Sequence, residues 1–320
     1  MKEKISNALS IIIPLLLGLG LMWYSYNSFT EKQLEEMKGY FVSADYNYVF
    51  FSLIFALLGY VLRAYRWKYT LTQIGYKPNF KLNFLAVSIG YFVNLSIPRS
   101  GEVSRALILK KYQNVPFGKA FGTIIAERIV DFIILLLFIF VSLIIEFETL
   151  KGFLLFYIPI DKVVMLLIIG CIGFMIGVYF YFYSNSKIIL GIKLKISGLK
   201  EGALSIYKMP YKWQFLGYTL LIWFSYVLMF YVTTLALKET SHITFGTALV
   251  AFVIGSLTIA FTNGGFGFFP ILIAKILFLY HIPLEAGNAF GWIVWTSQLI
   301  ITVFLGLMSF LLLPIITRKK

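Results

Sequence analysis

Long apolar segments separated by short polar ones run through nearly the whole sequence. A helix that crosses a membrane needs roughly 20 consecutive apolar residues. Polar and charged residues are too few inside these segments to form the solvent-facing side of an amphipathic helix. Six segments are therefore predicted as transmembrane helices: 5–26, 46–62, 117–145, 163–183, 213–237 and 286–316.

Two further apolar stretches, 80–112 and 244–281, are interrupted near their middle by the runs NLSIPRSGE and TNGGFGFFP. Irregular backbone is tolerated inside a membrane only where it is buried in protein or lines a cavity. Both stretches are therefore predicted to be re-entrant helical hairpins rather than spans. The residues expected to break the helices are Pro98, Gly101, Gly264, Gly265 and Gly267.

The order of these elements predicts an all-α polytopic membrane protein built as an inverted repeat. Each half has two spans, one hairpin and one span, and the hairpins enter from opposite faces, as in secondary transporters. The first half is 1–146. A linker and the fourth span, 147–185, begin the second half, and 213–320 completes it. Between them, 186–212 is a basic amphipathic segment, expected on the cytoplasmic leaflet.

The composition agrees with a membrane protein: 60% of the residues are hydrophobic and 13% are charged. The net charge of +14 does not indicate a nucleic-acid partner, because the cations lie between hydrophobic runs. Most of the 28 lysines and arginines fall on one side of the predicted topology, which places both termini in the cytoplasm. No cofactor or metal motif is recognised, since the two histidines lack metal-ligand spacing.

Five of the six arginines cluster around the first hairpin. A cation at the bilayer centre costs about 2.5–3.5 kcal/mol and usually marks a substrate or ion path. Guanidinium groups also suit phosphate, because they donate two parallel hydrogen bonds. Arg99, Arg105 and Arg128, with the amides that begin the second half-helix, are therefore predicted to bind an anionic headgroup. The alternative is an ion-paired hairpin tip without a ligand.

Other polar residues extend this predicted site. Glu102 is expected to hold Arg105, and Asn94 and Ser100 belong to the same motif. Arg63 and Arg66, at the expected end of the second span, either only set topology or collect headgroups at a portal. Lys275 either extends outward to the interface or faces the cavity.

Glu127 and Asp131 lie four residues apart on one face of a predicted span, beside Arg128. Buried carboxylates of this kind can serve in proton-coupled transport. They can equally form a structural network that neutralises nearby arginines, and the spacing alone leaves both interpretations open.

The motifs RAYRW, NLSIPRSGEVSR, AERIVD and TNGGFGFF, in this order, resemble the lysylphosphatidylglycerol synthase transmembrane family of flippase-like membrane proteins. The resemblance covers nearly the whole chain and implies a helical fold that moves or binds lipids with charged headgroups. Members that synthesise lysylated lipid also carry a soluble aminoacyl-transferase domain, so the synthase activity is not implied here. The family's motif positions fall on Asn94, Pro98, Gly101, Glu102, Arg105, Glu127, Arg128, Gly264, Gly265 and Gly267.

These features together predict a lipid transporter, either a flippase or a scramblase, in the cytoplasmic membrane. Its substrate would be a phospholipid with an anionic or zwitterionic headgroup, or a polyprenyl phosphate. The alternatives are an enzyme acting on a lipid phosphate, with Glu127 or Asp131 as base, and a non-catalytic partner of a separate lipid-modifying enzyme.

Overall fold

The computed structural model describes residues 20, 23, 26–27, 29–77, 79–97, 99–149, 151, 160–184, 186, 189–190, 193, 206, 209–262 and 264–317. All regular secondary structure in these residues is helical. The helices are α1 (Glu31–Ser43), α2 (Tyr46–Gln73), α3 (Phe80–Ser96), α4 (Ser100–Gln113), α5 (Phe117–Ile145), α6 (Ile160–Tyr183), α7 (Lys212–Thr234), α8 (Phe245–Phe261), α9 (Phe268–Phe278) and α10 (Leu284–Thr317).

Four of these helices, α2, α5, α7 and α10, are long and apolar enough to cross a membrane. They match the predicted spans, and α5 has the predicted bounds, 117–145. Helix α6 has 24 residues and coincides with the predicted fourth span. The predicted first span, 5–26, and most of the basic segment 186–212 lie outside the described residues. The chain is therefore a multi-pass helical membrane protein.

The predicted end of the second span was wrong. Helix α2 does not stop at Leu62 but continues to Gln73. Arg63 and Arg66 lie inside the helix and are buried, as is Leu71 near its end. The helix can continue because carboxylates from another helix pair with the two guanidinium groups, so neither cation has to leave the protein interior.

Each interrupted stretch consists of two helices that fold back on each other. Helices α3 and α4 meet at a turn in which Arg99 has φ = 61°, and α8 and α9 meet at a turn rich in glycine. Gly264, Gly265 and Gly267 all have positive φ, a conformation that costs glycine little. Three of the five predicted breaking residues thus form the second turn. Pro98 lies outside the described residues, and Gly101 has a different role.

Gly101 allows α3 and α4 to approach closely. A Cβ atom at this position would collide with the carbonyl oxygen of Gly90 on the facing helix. The Gly101 N–H donates to Asn94 Oδ1 at 2.6 Å, which ties the start of α4 to the end of α3. Gly101 therefore belongs to the packed hairpin rather than to its turn.

The two hairpins point in opposite directions along the bundle. Helix α2 runs antiparallel to α7, with Arg63 beside Tyr226 and Arg66 beside Thr219. The start of α8 packs against the end of α5, where Glu146 lies close to Gly246. The first hairpin instead begins after the end of α2 and leads directly into the start of α5. The open end of the first hairpin and the open end of the second hairpin thus lie at opposite ends of the bundle.

Helix contacts in the first half have counterparts in the second when α2, α3, α4 and α5 are equated with α7, α8, α9 and α10. Six contacts can be compared in this way, and all twelve helix pairs are present. Within the halves, α2–α3, α3–α4, α4–α5 and α2–α5 correspond to α7–α8, α8–α9, α9–α10 and α7–α10. Between the halves, α3–α10 and α2–α10 correspond to α8–α5 and α7–α5. The equivalent helices α2 and α7 are antiparallel neighbours. The contact pattern therefore has the form of an inverted pair.

We expect the Gly101→Ala substitution to destabilise the hairpin, because the added methyl group would collide with backbone that cannot move aside. Overpacking of this kind costs about 1–3 kcal/mol. The measurement is the thermal unfolding midpoint of the detergent-purified protein, which should fall by several degrees. Gly122→Ala is the matched control, since its methyl group would have no atom outside its own helix within 4 Å. Equal midpoints for both variants would contradict the close packing.

Candidate functional site

A cluster of four arginines and three carboxylates lies between α2, α4 and α5. Asp131 of α5 forms its centre. Its Oδ1 accepts from Nη1 of Arg66 at 2.6 Å, and its Oδ2 accepts from Nη2 of Arg66 and Nη1 of Arg63, both at 3.0 Å. Arg63 and Arg66, one helical turn apart on α2, thus share a single carboxylate from α5. We call these seven side chains the arginine cluster: Arg63, Arg66, Arg105, Arg128, Glu102, Glu127 and Asp131.

Helix α7 closes the cluster on the side of α2. Tyr226 accepts a 2.6 Å hydrogen bond from Arg63 Nε, and Thr219 accepts one of 3.2 Å from Arg66 Nη1. The ring of Phe215 lies 5.4 Å from the Arg66 guanidinium carbon, within range of a cation–π contact. Arg66 is fully buried. Its charge is therefore compensated entirely by protein groups.

The second buried pair joins α4 to α5. Arg105 Nη2 donates to Glu127 Oε2 at 3.1 Å, and both side chains are almost fully buried. The guanidinium carbon of Arg105 lies 4.0 Å from the ring centre of Trp67, whose indole N–H donates to Thr123. Trp67 thus supports Arg105 from one face. This pairing differs from the expectation that Glu102 would hold Arg105.

Glu102 instead faces Arg128, at the only part of the arginine cluster that is substantially exposed. Arg128 Nε lies 3.1 Å from Glu102 Oε1, without its N–H directed at that oxygen, and Arg128 Nη1 lies 3.8 Å from Asp131 Oδ2. The Arg128 side chain is 36% exposed and that of Glu102 is 17% exposed. We call this pair the accessible edge of the cluster.

The arginine cluster has one more positive than negative group, since four guanidinium groups face three carboxylates. Some hydrogen-bonding capacity is also unmet. Arg66 Nε, Arg105 Nε and Glu127 Oε1 are buried without a hydrogen-bond partner in the described structure. Unpaired buried polar groups are costly, so they are frequent at sites that bind a ligand or water.

The turn of the first hairpin contributes less than predicted. Arg99 is exposed and has no ion pair or hydrogen bond within the described residues, so it does not join Arg105 and Arg128. The Ser100 hydroxyl donates to the Ile97 carbonyl at 2.5 Å, and the Gly101 amide is used by Asn94. Asn94 and Ser100 thus satisfy backbone groups of the hairpin. The amides expected to bind an anion are largely engaged.

Lys275 is exposed on α9, near the end of the second hairpin. It makes no ion pair or hydrogen bond in the described part of the chain. The structure therefore does not bring it into the arginine cluster.

Glu127 and Asp131 both face arginines. Asp131 pairs with Arg63 and Arg66, and Glu127 pairs with Arg105 and lies 3.8 Å from Arg66. The described residues contain no group of three His, Cys, Asp or Glu side chains suited to a metal ion. The chemistry of the cluster is therefore that of paired charges with one cation in excess.

Sequence reasoning missed the residues of α7 and the aromatic supports. Thr219 and Tyr226 are seven residues apart in an apolar helix and therefore lie on one face, which is a detectable signal. Their role as partners of α2 could not be assigned, because the sequence does not show that α2 and α7 are neighbours. Trp67 follows Arg66 near the end of a long apolar segment, where an aromatic residue is typical of a membrane interface. In the structure it is fully buried beneath Arg105.

The profile of the family described as "Lysylphosphatidylglycerol synthase TM region" matches residues 11–315, which include the whole arginine cluster. The chain belongs to this family. The family is the transmembrane part of a lipid-modifying protein, which links the chain to lipid handling. No solved structure matches the chain.

Two curated archaeal proteins are similar to part of the chain. A UPF0104 membrane protein of Methanocaldococcus jannaschii is 34% identical over 142 residues, or 43% of this chain and 40% of that protein. A UPF0104 membrane protein of Pyrococcus horikoshii is 26% identical over 165 residues, or 50% of this chain and 47% of that protein. The matches thus span less than half the length of these relatives, whose names state no activity.

We expect Asp131→Asn to destabilise the protein strongly, because it leaves Arg63 and Arg66 without their shared carboxylate. Breaking a buried pair in this way costs about 3–5 kcal/mol. The measurement is the fraction of monodisperse protein after detergent extraction, together with its unfolding midpoint. Adding Arg63→Gln to Asp131→Asn should restore part of the loss, because it removes one of the orphaned charges.

The control for this prediction is Glu36→Gln in α1. Glu36 forms an exposed ion pair of 3.9 Å with Lys32, and exposed pairs contribute at most about 1 kcal/mol. Equal stability of Asp131→Asn and Glu36→Gln would contradict the structural role assigned to Asp131.

Proposed function

We propose that the protein is a lipid transporter, a flippase or scramblase, that moves a phosphate-bearing lipid across the cell membrane. The observation that carries the proposal is the extra positive group of the arginine cluster, which lies at its accessible edge. The chain belongs to a family linked to lipid handling. It holds an unbalanced cation among its membrane helices, and such a cation requires an anion to balance it. A lipid phosphate is the anion most available at that depth.

Arg128 is the proposed headgroup ligand. Arg63, Arg66 and Arg105 are buried and engaged by carboxylates, whereas the Arg128 side chain is 36% exposed and its contact with Glu102 is poorly directed. A phosphate oxygen can therefore displace Glu102 without exposing a buried charge. Arg63 and Arg66 position Asp131, which lies 3.8 Å from Arg128. Arg99, exposed at the hairpin turn, would attract the headgroup by its charge.

The proposed transport mechanism depends on the inverted arrangement of the helices. Corresponding contacts in the two halves and opposed hairpins support an inverted repeat, in which the halves exchange conformations to open the path alternately. The predicted charge asymmetry places the open end of the first hairpin, and both termini, on the cytoplasmic side. The arginine cluster would then receive the headgroup from the cytoplasmic leaflet.

An enzymatic function is less well supported by the same geometry. A general base needs a free oxygen within reach of its substrate. Both oxygens of Asp131 accept hydrogen bonds from arginines, and the unpartnered Oε1 of Glu127 is buried. A catalytic role for these carboxylates would require the cluster to come apart.

We expect Arg128→Gln to slow the transport of an anionic lipid about tenfold, because one charge-assisted phosphate contact contributes roughly 1.5–3 kcal/mol. The assay uses liposomes with NBD-labelled phosphatidylglycerol and measures the rate at which the label exchanges between leaflets, from dithionite quenching. Lys111→Gln is the matched control, since it removes one exposed cation from the far end of α4. Equal rates for Arg128→Gln and the wild type would overturn the proposed headgroup site.

Glu102→Gln should have the opposite effect on binding. Removing the carboxylate that competes for Arg128 should increase the amount of labelled phosphatidylglycerol that remains bound after gentle extraction. A decrease would contradict the proposed competition.

Mass analysis of the liposome lipids in the same experiment distinguishes the other functions. A chemically altered lipid would indicate an enzyme. If the folded protein neither transports nor alters the lipid but copurifies with a lipid-modifying enzyme, the partner function is favoured.

A further inference from the structure

The correspondence between the halves relates the arginine cluster to a second place in the fold. The cluster lies between α2, α4 and α5, whose counterparts in the second half are α7, α9 and α10. Helix α1 packs against α10 as well. A site bordered by the turn at Gly267, α9 and α10 therefore adjoins two of the three helices that correspond to those of the cluster.

A cavity of about 470 Å³ lies at this place. Its walls include Gly267 of the turn, Ile271 of α9, Asn288 and Trp292 of α10, and Met37 and Phe41 of α1. The volume falls within the roughly 300–1,000 Å³ typical of small-molecule sites. We call it the α9 cavity.

The lining of the α9 cavity includes one amide side chain. Asn288 is only 3% exposed as a residue, it contributes to the wall of the cavity, and no hydrogen bond joins its side chain to another described residue. Its amide can therefore donate to a ligand oxygen without first breaking a hydrogen bond to the described part of the chain.

The chemistry of the α9 cavity differs from that of the arginine cluster. The described residues that line it carry no charge and are mostly aromatic or aliphatic. Trp23 and Tyr26, also in its lining, are 70% and 61% exposed, so the cavity is open at the apolar surface of the bundle. Such a site can hold apolar chains and one or two oxygen atoms, but it has no means to select an anionic headgroup.

We propose that the α9 cavity binds the glycerol backbone and upper chains of a membrane lipid, with Asn288 donating to a lipid oxygen. This inference rests on the proposed transport function and assigns the cavity as the second site on the path. Arg128 binds the lipid through the charge of its headgroup, whereas the α9 cavity binds it whatever that charge is. The absence of charge among the described lining residues favours release into the opposite leaflet.

The test is photolabelling in nanodiscs with two diazirine lipids, a phosphatidylglycerol and a phosphatidylcholine, each bearing the diazirine near the glycerol. Peptide mapping by mass spectrometry should find similar labelling by both lipids in segments 267–271 and 288–292. Ile271→Trp fills the cavity and should reduce this labelling about tenfold. Asn288→Leu should reduce it less. The control is Ile300→Trp, because Ile300 is 59% exposed on α10 and lies outside the cavity lining.

Labelling that is unchanged by Ile271→Trp, or that occurs only with phosphatidylglycerol, would overturn the assignment. The two proposals fail separately. If Arg128→Gln leaves transport unchanged while cavity labelling responds to Ile271→Trp, the headgroup site fails and the α9 cavity stands. If Arg128→Gln slows transport but Ile271→Trp changes neither labelling nor transport, the α9 cavity fails and the headgroup site stands.

Discussion

The carboxylate of Asp131 holds two guanidinium groups of α2 inside a protein whose surroundings are apolar. A charge buried without a partner in such an environment is strongly destabilising, so α2 and α5 must meet at this height and in this register. Arg66 and Arg63 then reach Thr219 and Tyr226, which fixes α7 against α2 as well. One electrostatic requirement thus positions α2, α5 and α7 relative to one another.

The same requirement explains which charges are available for a ligand. Most of the cationic capacity is used for structure, and only Arg128 combines an exposed side chain with a poorly directed carboxylate contact. The first two amides of α4 are also occupied, because Ser100 N–H donates to the Ile97 carbonyl and Gly101 N–H donates to Asn94. The proposed binding of an anion therefore rests on the charge imbalance of the cluster rather than on the helix N-terminus.

The two halves share an arrangement of helices but differ in chemistry. Where α4 and α5 are joined by the Arg105–Glu127 pair, α9 and α10 pack through small residues, with Gly287 against Ala274 and Gly291 against Pro270. Backbone contact replaces charge, and the neighbouring cavity is neutral. Under the proposals made above, a lipid headgroup would bind more strongly at the charged site than at the neutral one.

Hydropathy determined the helices, because a segment must be continuously apolar to cross a membrane; the bounds of α5 and the interruptions of both hairpins follow from that rule alone. The sequence also drew attention to the seven charged residues that the structure brings together, but it included Arg99 and Lys275, which the structure leaves apart from them. The partners of those charges were decided only by the tertiary structure. Glu102 is three residues from Arg105 yet faces Arg128, and Arg66 pairs with a carboxylate 65 residues away. Sequence separation carries no information on which helices are neighbours, and burial of a charge depends on what the neighbouring helix supplies.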